Sequence, residues 1–394
     1  MAKVTILQVV PRLETGGSEQ AAVEITEALV RAGGAALVAT EGGRMASEVT
    51  RAGGEIIPLP VASKNPLTIL ANARWLADLV EARDVSLLHA RSRAPAWSAL
   101  LAARRTKRPL VTTYHGAYDS RAPLKTLYSS VMARGDLVIA NSRYTAELIA
   151  ARHSVAQERI RVIYRGIDLS RFALQSIEQN RLDKLRTAWG LRQGQPVVLQ
   201  AARLTGWKGQ TYVIDAARQM LASGRLGNAV FILAGDAQGR GSYRQELEHR
   251  IADSGLSGHV RLVGHCDDMP AAFATARVAI IASTSAETFG RTSIESQAMG
   301  CPVIVTDVGA APENIVAPNG DRKNFTGWVV PVADSATLAG RITEALALSP
   351  AERAALGDRA RRHVAAQFAL QEMQRATLAV YDELLGSDLA AKLA

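Results

Sequence analysis

The sequence predicts an α/β chain made of two doubly wound, Rossmann-like halves, each a parallel sheet with helices on both faces. Three observations carry that expectation. Short β-branched runs alternate with helical stretches along the whole chain, as in successive βαβ units. The 394 residues exceed what one typical core holds and suit two domains. Chemistry-bearing residues fall just after strands in both halves, at the edge where open α/β sheets bind ligands, so the two sets can meet across a cleft.

Val4–Val10 reads as the first strand, with a helix from about Gln20 to Ala32 whose Ala22, Ile25, Ala28 and Leu29 share a face. Between them, Gly16 and Gly17 let backbone approach a phosphate. A nicotinamide reading would use Glu41 after the strand Ala36–Thr40, but G-x-G-x-x-G is absent. Strands follow at Glu55–Leu59, Val85–His89 and Leu110–Tyr114, and helices at Leu67–Glu81 and Trp97–Ala103. Arg104, Arg105, Lys107 and Arg108 read as a solvated helix end. His115, followed by Gly116, sits at a carboxyl strand end. In Ser120–Arg134, Leu124, Leu127, Tyr128 and Val131 share a helical face flanked by Arg121, Lys125 and Arg134, which fits core packing with a weaker role on anionic lipid. Leu137–Ala140 is a strand and Asn141-Ser142 caps the next helix. Ile160–Tyr164 leads into Arg165-Gly166-Ile167-Asp168, and the polar run Gln175–Lys184 reads as a connection.

The second half opens with the strand Val197–Gln200. Arg203 and Lys208 follow across a glycine-containing turn, so both can fold onto one anion. A helix start is a poor place for two cations, which favours an anion between them. Val230–Leu233 precedes Gly235, where a nucleotide can approach closely, and Val260–Val263 precedes a helix starting around Asp267–Met269. Val278–Ile281 and Val303–Thr306 bracket a polar loop and the helix Arg291–Met299, closed by Gly300 and Pro302. Backbone amides of Phe289, Gly290, Arg291 and Thr292 form that helix's start and suit an anionic or polyhydroxylated ligand. Glu287 lies on the loop and Glu295 inside the helix. A strand at Gly327–Pro331 and two helices, about Ser335–Leu348 and Pro350–Leu385, complete the chain.

Composition narrows the function. Hydrophobic content of 48% with 21% charged residues is that of a soluble globular protein, and 5% aromatics argues against base stacking on nucleic acid. No helix-turn-helix, RRM or zinc-finger pattern appears. No apolar run nears the roughly 20 residues that cross a bilayer, and MAKVTILQVVP lacks a signal-peptide core, so a cytoplasmic place is expected. Cys266 and Cys301 lack the spacing of a disulfide framework or zinc site. Residues 1–168 hold 22 Lys/Arg against 15 Asp/Glu, a balance of +7, and the rest hold 24 against 22, or +2. The basic first half suits an anionic partner such as a membrane surface or phosphorylated acceptor.

The string Glu287-x7-Glu295, with Phe289-Gly290 inside it and Gly300-x-Pro302 behind, resembles the donor-binding signature of retaining glycosyltransferases of family 4, which have the glycosyltransferase-B (GT-B) fold. Arg203…Lys208-Gly209 resembles that family's diphosphate clamp, and Gly16-Gly17-Ser18-Glu19 its first loop. Thr288, Ala202 and Arg165 stand where the family often has Pro, Gly and Asn. The resemblance implies domains at 1–170 (acceptor-binding) and 171–371 (donor-binding), with a last helix, about 372–394, crossing back to the first. It implies retaining transfer of a sugar from a nucleotide diphosphate sugar to an envelope glycan or glycolipid, of lipopolysaccharide-core type, without a metal. Arg203 and Lys208 would hold the diphosphate, Glu295 the ribose, and Glu287 with the amides of Phe289 to Arg291 the sugar hydroxyls. Gly17 would offer backbone to the phosphates and His115 would face the reacting sugar. A nonhydrolysing sugar-nucleotide epimerase and an inactive nucleotide-sugar-binding protein are the alternatives.

Overall fold

The computed structural model describes residues 3–14, 16–116, 123–237, 239, 241–318 and 324–393. It divides into two compact units, Met1–Gly166 with Leu370–Ala394, and Ile167–Ala369. Both boundaries fall a few residues ahead of those expected.

In the first unit the described strands are β1 (Thr5–Val9), β2 (Ala35–Thr40), β3 (Glu55–Pro58), β4 (Leu87–Ala90), β5 (Leu110–Tyr114), β6 (Leu137–Ala140) and β7 (Ile160–Val162). They form one parallel sheet in the order β3-β2-β1-β4-β5-β6-β7. The second unit holds β8 (Val197–Ala201), β9 (Val230–Ala234), β10 (Val260–Gly264), β11 (Val278–Ile281), β12 (Val303–Thr306) and β13 (Gly327–Val330), in the order β10-β9-β8-β11-β12-β13. Strand order reverses between β1 and β4 in one sheet and between β8 and β11 in the other. Loops leaving the carboxyl ends of neighbouring strands diverge at such a point and leave a crevice.

The strands are predominantly apolar because helices cover both sheet faces, with Gln8, His89, Thr113 and Gln200 among the buried polar exceptions. On one face of the first sheet, Leu7, Leu88 and Tyr114 join a cluster with Leu76 and Leu100. On the other, Ile6, Leu87 and Val111 meet Ile25 and Leu29 of the helix Gly17–Arg31. That second face is completed by the helix Leu370–Leu385, whose Met373, Leu378, Val380 and Tyr381 are buried there. The return of the chain to the first unit is therefore a packing event with named residues, although the expected last helix of about 372–394 is two, with Leu389–Lys392 separate after the left-handed Gly386. Phe231, Ile280 and Trp328 anchor the core of the second unit.

Several expected elements need correction. The predicted single helix over Pro350–Leu385 is two, Pro350–Gln367 and Leu370–Leu385. Phe368 leaves the helical path to stack edge-on against Phe289 at 5.9 Å and His363 at 5.5 Å, and its carbonyl accepts from the Ile167 amide. Gln175–Lys184 is not a bare connection, since a helix runs Gln179–Ala188. It buries none of its residues and is tied down by Arg181, which donates to both carboxylate oxygens of Asp268 at 2.8 and 2.6 Å. The helix expected at Trp97–Ala103 spans Arg93–Thr106, because Pro95 sits in the first turn, where its missing N–H costs nothing. In Ser120–Arg134, residues 120–122 lie outside the described set, and Pro123–Ser129 is helical. Leu124 and Leu127 there are exposed at 81% and 55%, so they do not pack in the core as expected.

Candidate active site

The second unit gathers its chemistry on the adjacent loops after β8 and β11. After β8 the chain makes a short helical turn at Gly206–Lys208 and enters the helix Gln210–Ala222 through Gly209, whose φ is +72°. Only glycine serves there, because a Cβ would lie 1.9 Å from the Ala282 carbonyl oxygen as well as requiring the left-handed conformation. The turn is braced from both sides. The Gln200 side chain donates to the Lys208 carbonyl at 2.7 Å, and the Thr284 amide donates to the Trp207 carbonyl at 2.8 Å.

This bracing aims Lys208 across at the other loop. Its ammonium lies 2.7 Å from Glu287 Oε1 and 4.3 Å from the centre of the Trp207 ring. The Ser283 hydroxyl donates to the same Glu287 oxygen. Lys208 and Glu287 are only 16% and 12% exposed, so the ion pair is largely withdrawn from water, where its charges act more strongly than on an open surface. The Glu287 backbone is fixed as well, its carbonyl accepting from the Ala310 amide at 2.8 Å.

Gly290, with φ +82°, caps the helix Arg291–Ala298. Buried Asn314 holds that corner, its amide donating to the Phe289 carbonyl, to the Gly290 carbonyl at 3.2 Å and to Ser293 Oγ at 2.8 Å. Lys208, Ser283, Glu287, Gly290 and Thr292 all line one small cavity with Gln200. One helical turn on, Arg291 donates through Nε to Glu295 Oε1 at 3.0 Å. Burial pushes the Glu295 carboxyl up from its ordinary range, against the opposing pull of Arg291 and Arg171.

The other expected site residues stand apart from that cavity. Phe289 turns its ring into the core, leaving only backbone for a ligand. Arg203 shares the Lys208 loop but is exposed, its carbonyl held by the Gln210 side chain at 2.9 Å. Gly235 packs against that loop, since a Cβ there would lie 1.9 Å from the Ala202 carbonyl oxygen. Ser283 and Asn314 escaped the sequence reading. Ser283 carried a usable signal, as the first hydroxyl after the apolar run of β11.

In the first unit, Gly16 and Gly17 open the helix Gly17–Arg31 after β1, and His115 follows β5. Arg165 joins them. Its Nη1 donates to the Gly17 carbonyl and its Nη2 lies 2.8 Å from His115 Nδ1. Burial holds His115 well below the usual histidine range, helped by the charges of Arg165 and Arg91 and by His89. Beneath lies a buried polar network. His89 bonds Tyr381 and Thr113, each at 2.6 Å, and Arg91 donates to Gln8 Oε1 at 2.8 Å.

Residues 15–171 match the family model "Glycosyltransferase Family 4", and residues 182–363 match "Glycosyl transferases group 1". The chain is 28% identical over 316 residues to D-inositol 3-phosphate glycosyltransferase 1 of Catenulispora acidiphila, covering 76% of this chain and 72% of that one. It is 28% identical over 281 residues to the lipopolysaccharide core biosynthesis mannosyltransferase LpcC of Rhizobium leguminosarum bv. viciae, covering 68% and 74%. The crystal structure of a glycosyltransferase from Rickettsia africae ESF-5 superposes with a TM-score of 0.87 at 28% identity, over 98% of this chain and all of that one.

Proposed function

We propose, on the premise that this chain belongs to the group 1 glycosyltransferases of the GT-B fold, that it moves a sugar with retained configuration from a nucleotide diphosphate sugar to an envelope glycan or glycolipid. The observation that carries this reading is the Lys208–Glu287 pair, set in one cavity with the helix start at Gly290. A cation suits a departing diphosphate, and a carboxylate beside helix-start amides suits sugar hydroxyls.

In this reading Lys208 and Arg203 take the diphosphate, stabilising charge as it grows on the leaving group. Glu287 and the amides of Phe289 to Arg291 hold the sugar hydroxyls. Glu295 receives the ribose, Gly235 lets the nucleotide come close, Gly16 and Gly17 offer backbone to the phosphates, and His115 faces the reacting sugar. The leaving diphosphate helps deprotonate the acceptor, and no fixed metal is required. The first unit binds the acceptor and the second the donor.

The acceptor assignment leans on the basic first half and on a relative named for lipopolysaccharide core biosynthesis. Exposed Leu124 and Leu127 beside Lys125 suit peripheral contact with the inner face of an anionic membrane. No helix among the described residues is long and apolar enough to cross a membrane. A soluble inositol phosphate is the second acceptor class, favoured by the name of the Catenulispora relative.

The test is nucleoside diphosphate release from UDP- and GDP-sugars with no acceptor, a crude lipid acceptor or inositol phosphate. Release that depends on acceptor supports transfer, and the responsive acceptor decides its class. Donor turnover without acceptor would fit the epimerase, and no turnover in any arm the inactive binder. Flotation with anionic vesicles at low salt tests the membrane contact. A protein left wholly in the soluble fraction would remove it.

A further inference from the structure

Arg165 was visible in the sequence only as an unusual residue, with no role. The structure places it one residue from the end of the first segment of its unit, with a fork that reaches two functional positions at once. Gly17 begins the helix expected to meet phosphate, and His115 is the residue expected to face the sugar. A guanidinium carries five N–H donors and no acceptor, and it stays protonated in proteins. Its 2.8 Å contact with His115 Nδ1 therefore has one allowed polarity: Arg165 donates and Nδ1 accepts. An Nδ1 that accepts bears no proton. The neutral ring then carries its only N–H on Nε2.

We propose that Arg165 is a positioning residue that locks His115 in the neutral Nε2–H tautomer and ties that ring to the Gly17 carbonyl. His115 consequently serves as a hydrogen-bond donor through Nε2, and Nδ1 is closed to service as a base. This rests on the proposed reading of His115 at the reacting sugar, but the lock itself is a property of the ligand-free chain.

Three further observations point the same way. The missing side chain at Gly17 leaves room for this contact, because an added Cβ would stand 3.0 Å from Arg165 Nη1 and press on the guanidinium. Among the described residues, the charges acting on His115 oppose its protonation: Arg165 from the segment after β7, Arg91 after β4 and, in its charged form, His89 within β4. His89 is itself buried and bonded on both ring nitrogens, so it contributes no mobile charge. One guanidinium thus fixes the distance between a loop and a ring that lie far apart in the chain.

The experiment is long-range proton–nitrogen NMR of the full chain labelled with 15N-histidine, with the His115 signal identified by its loss in His115→Gln. The expected wild-type spectrum shows a bare, accepting Nδ1 and a protonated Nε2, unchanged between about pH 5 and 8, where an ordinary histidine titrates. Arg165→Met keeps the stem and removes the donors and charge. In it His115 should show mixed tautomers, and its titration should move upward, since a nearby positive charge is gone. Arg165→Lys, whose ammonium also only donates, should retain the wild-type tautomer, and it keeps the test open should the Met variant not fold.

A wild-type His115 with its proton on Nδ1, or titrating like a free histidine, overturns the proposal. So does an Arg165→Met spectrum identical to wild type. These readouts need no donor or acceptor. A missing lock leaves the transfer reading to its own assay, and a lock present in a chain without transferase activity refutes the transfer reading alone.

Discussion

The two units solve the same placement problem with different charge arrangements. Both put polar residues on loops at the carboxyl ends of their parallel strands, and in the second unit those loops flank the strand-order reversal. In the second unit cations meet carboxylates, Lys208 with Glu287 and Arg291 with Glu295. In the first, Arg165 donates to a carbonyl and a ring nitrogen, and Arg91 to an amide oxygen. The contrast teaches how each site should answer a ligand. In the proposed reading, a diphosphate entering the second site would compete with Glu287 for Lys208, so ligand and protein would exchange charge partners. In the first site these hydrogen bonds of Arg165 and Arg91 go to neutral acceptors, with buried Glu24 acting on Arg91 as a nearby charge.

The hardest way to break that comparison is to distort the second loop itself. Gly209→Ala should lower the stability of the second unit by about 3 kcal/mol or more, combining left-handed strain with a backbone clash. Chemical denaturation followed by tryptophan fluorescence checks this, since Trp189, Trp207 and Trp328 all lie in that unit. A midpoint equal to wild type would show that the loop tolerates a different path.

Lys208→Ala comes next. It should reduce kcat/KM for transfer by at least ~2 kcal/mol, roughly 30-fold, the scale of losing one donor to a developing anion. It also leaves Glu287 without its ammonium partner, so a donor should bind more weakly as well. Unchanged turnover would remove Lys208 from the mechanism and erase the distinction between the units.

Glu295→Gln should act more mildly and with a diagnostic pH dependence. Burial raises the folded carboxyl above its unfolded value, so ionisation disfavours the fold. That penalty is absent below the ordinary carboxylate pKa of about 4.3 and grows as pH rises through the folded value. The glutamine variant should therefore match wild type in acid and gain a few degrees in Tm toward neutral pH, while its nucleotide binding weakens. A variant less stable at every pH would mean the Arg291 pair outweighs desolvation. The smallest effect expected is that of a chelator, which should leave transfer unchanged; lost activity restored by a divalent cation would contradict the metal-free reading.

Much of this was legible in the sequence because buried parallel strands leave a strong mark. β11 and β12 stand where β-branched runs place them, and Gly209 and Gly290 sit where helices must start. Helix limits were less legible wherever tertiary contact decided them. Nothing local in Gln367-Phe368-Ala369 announces a break, which comes from Phe368 seeking Phe289. The helix Gln179–Ala188 has no buried face to advertise it and depends on a distant aspartate.

In the site, the residue types were readable and their partners were not. Lys208 and Glu287 lie 79 positions apart and meet because β8 and β11 are neighbours, a fact of strand order. Arg165 reaches back 148 positions to Gly17 and 50 to His115. A substitution that looked like a departure from a motif is, in three dimensions, a brace between two others.

The central claim is that Lys208, in its cavity with Glu287, receives a diphosphate. The most direct measurement is a thermal-shift comparison of nucleoside, monophosphate and diphosphate forms of uridine and guanosine, in wild type and Lys208→Ala. The account predicts that one diphosphate raises the wild-type Tm well above its monophosphate, and that this increment disappears in the variant. An equal diphosphate increment in both proteins would contradict it.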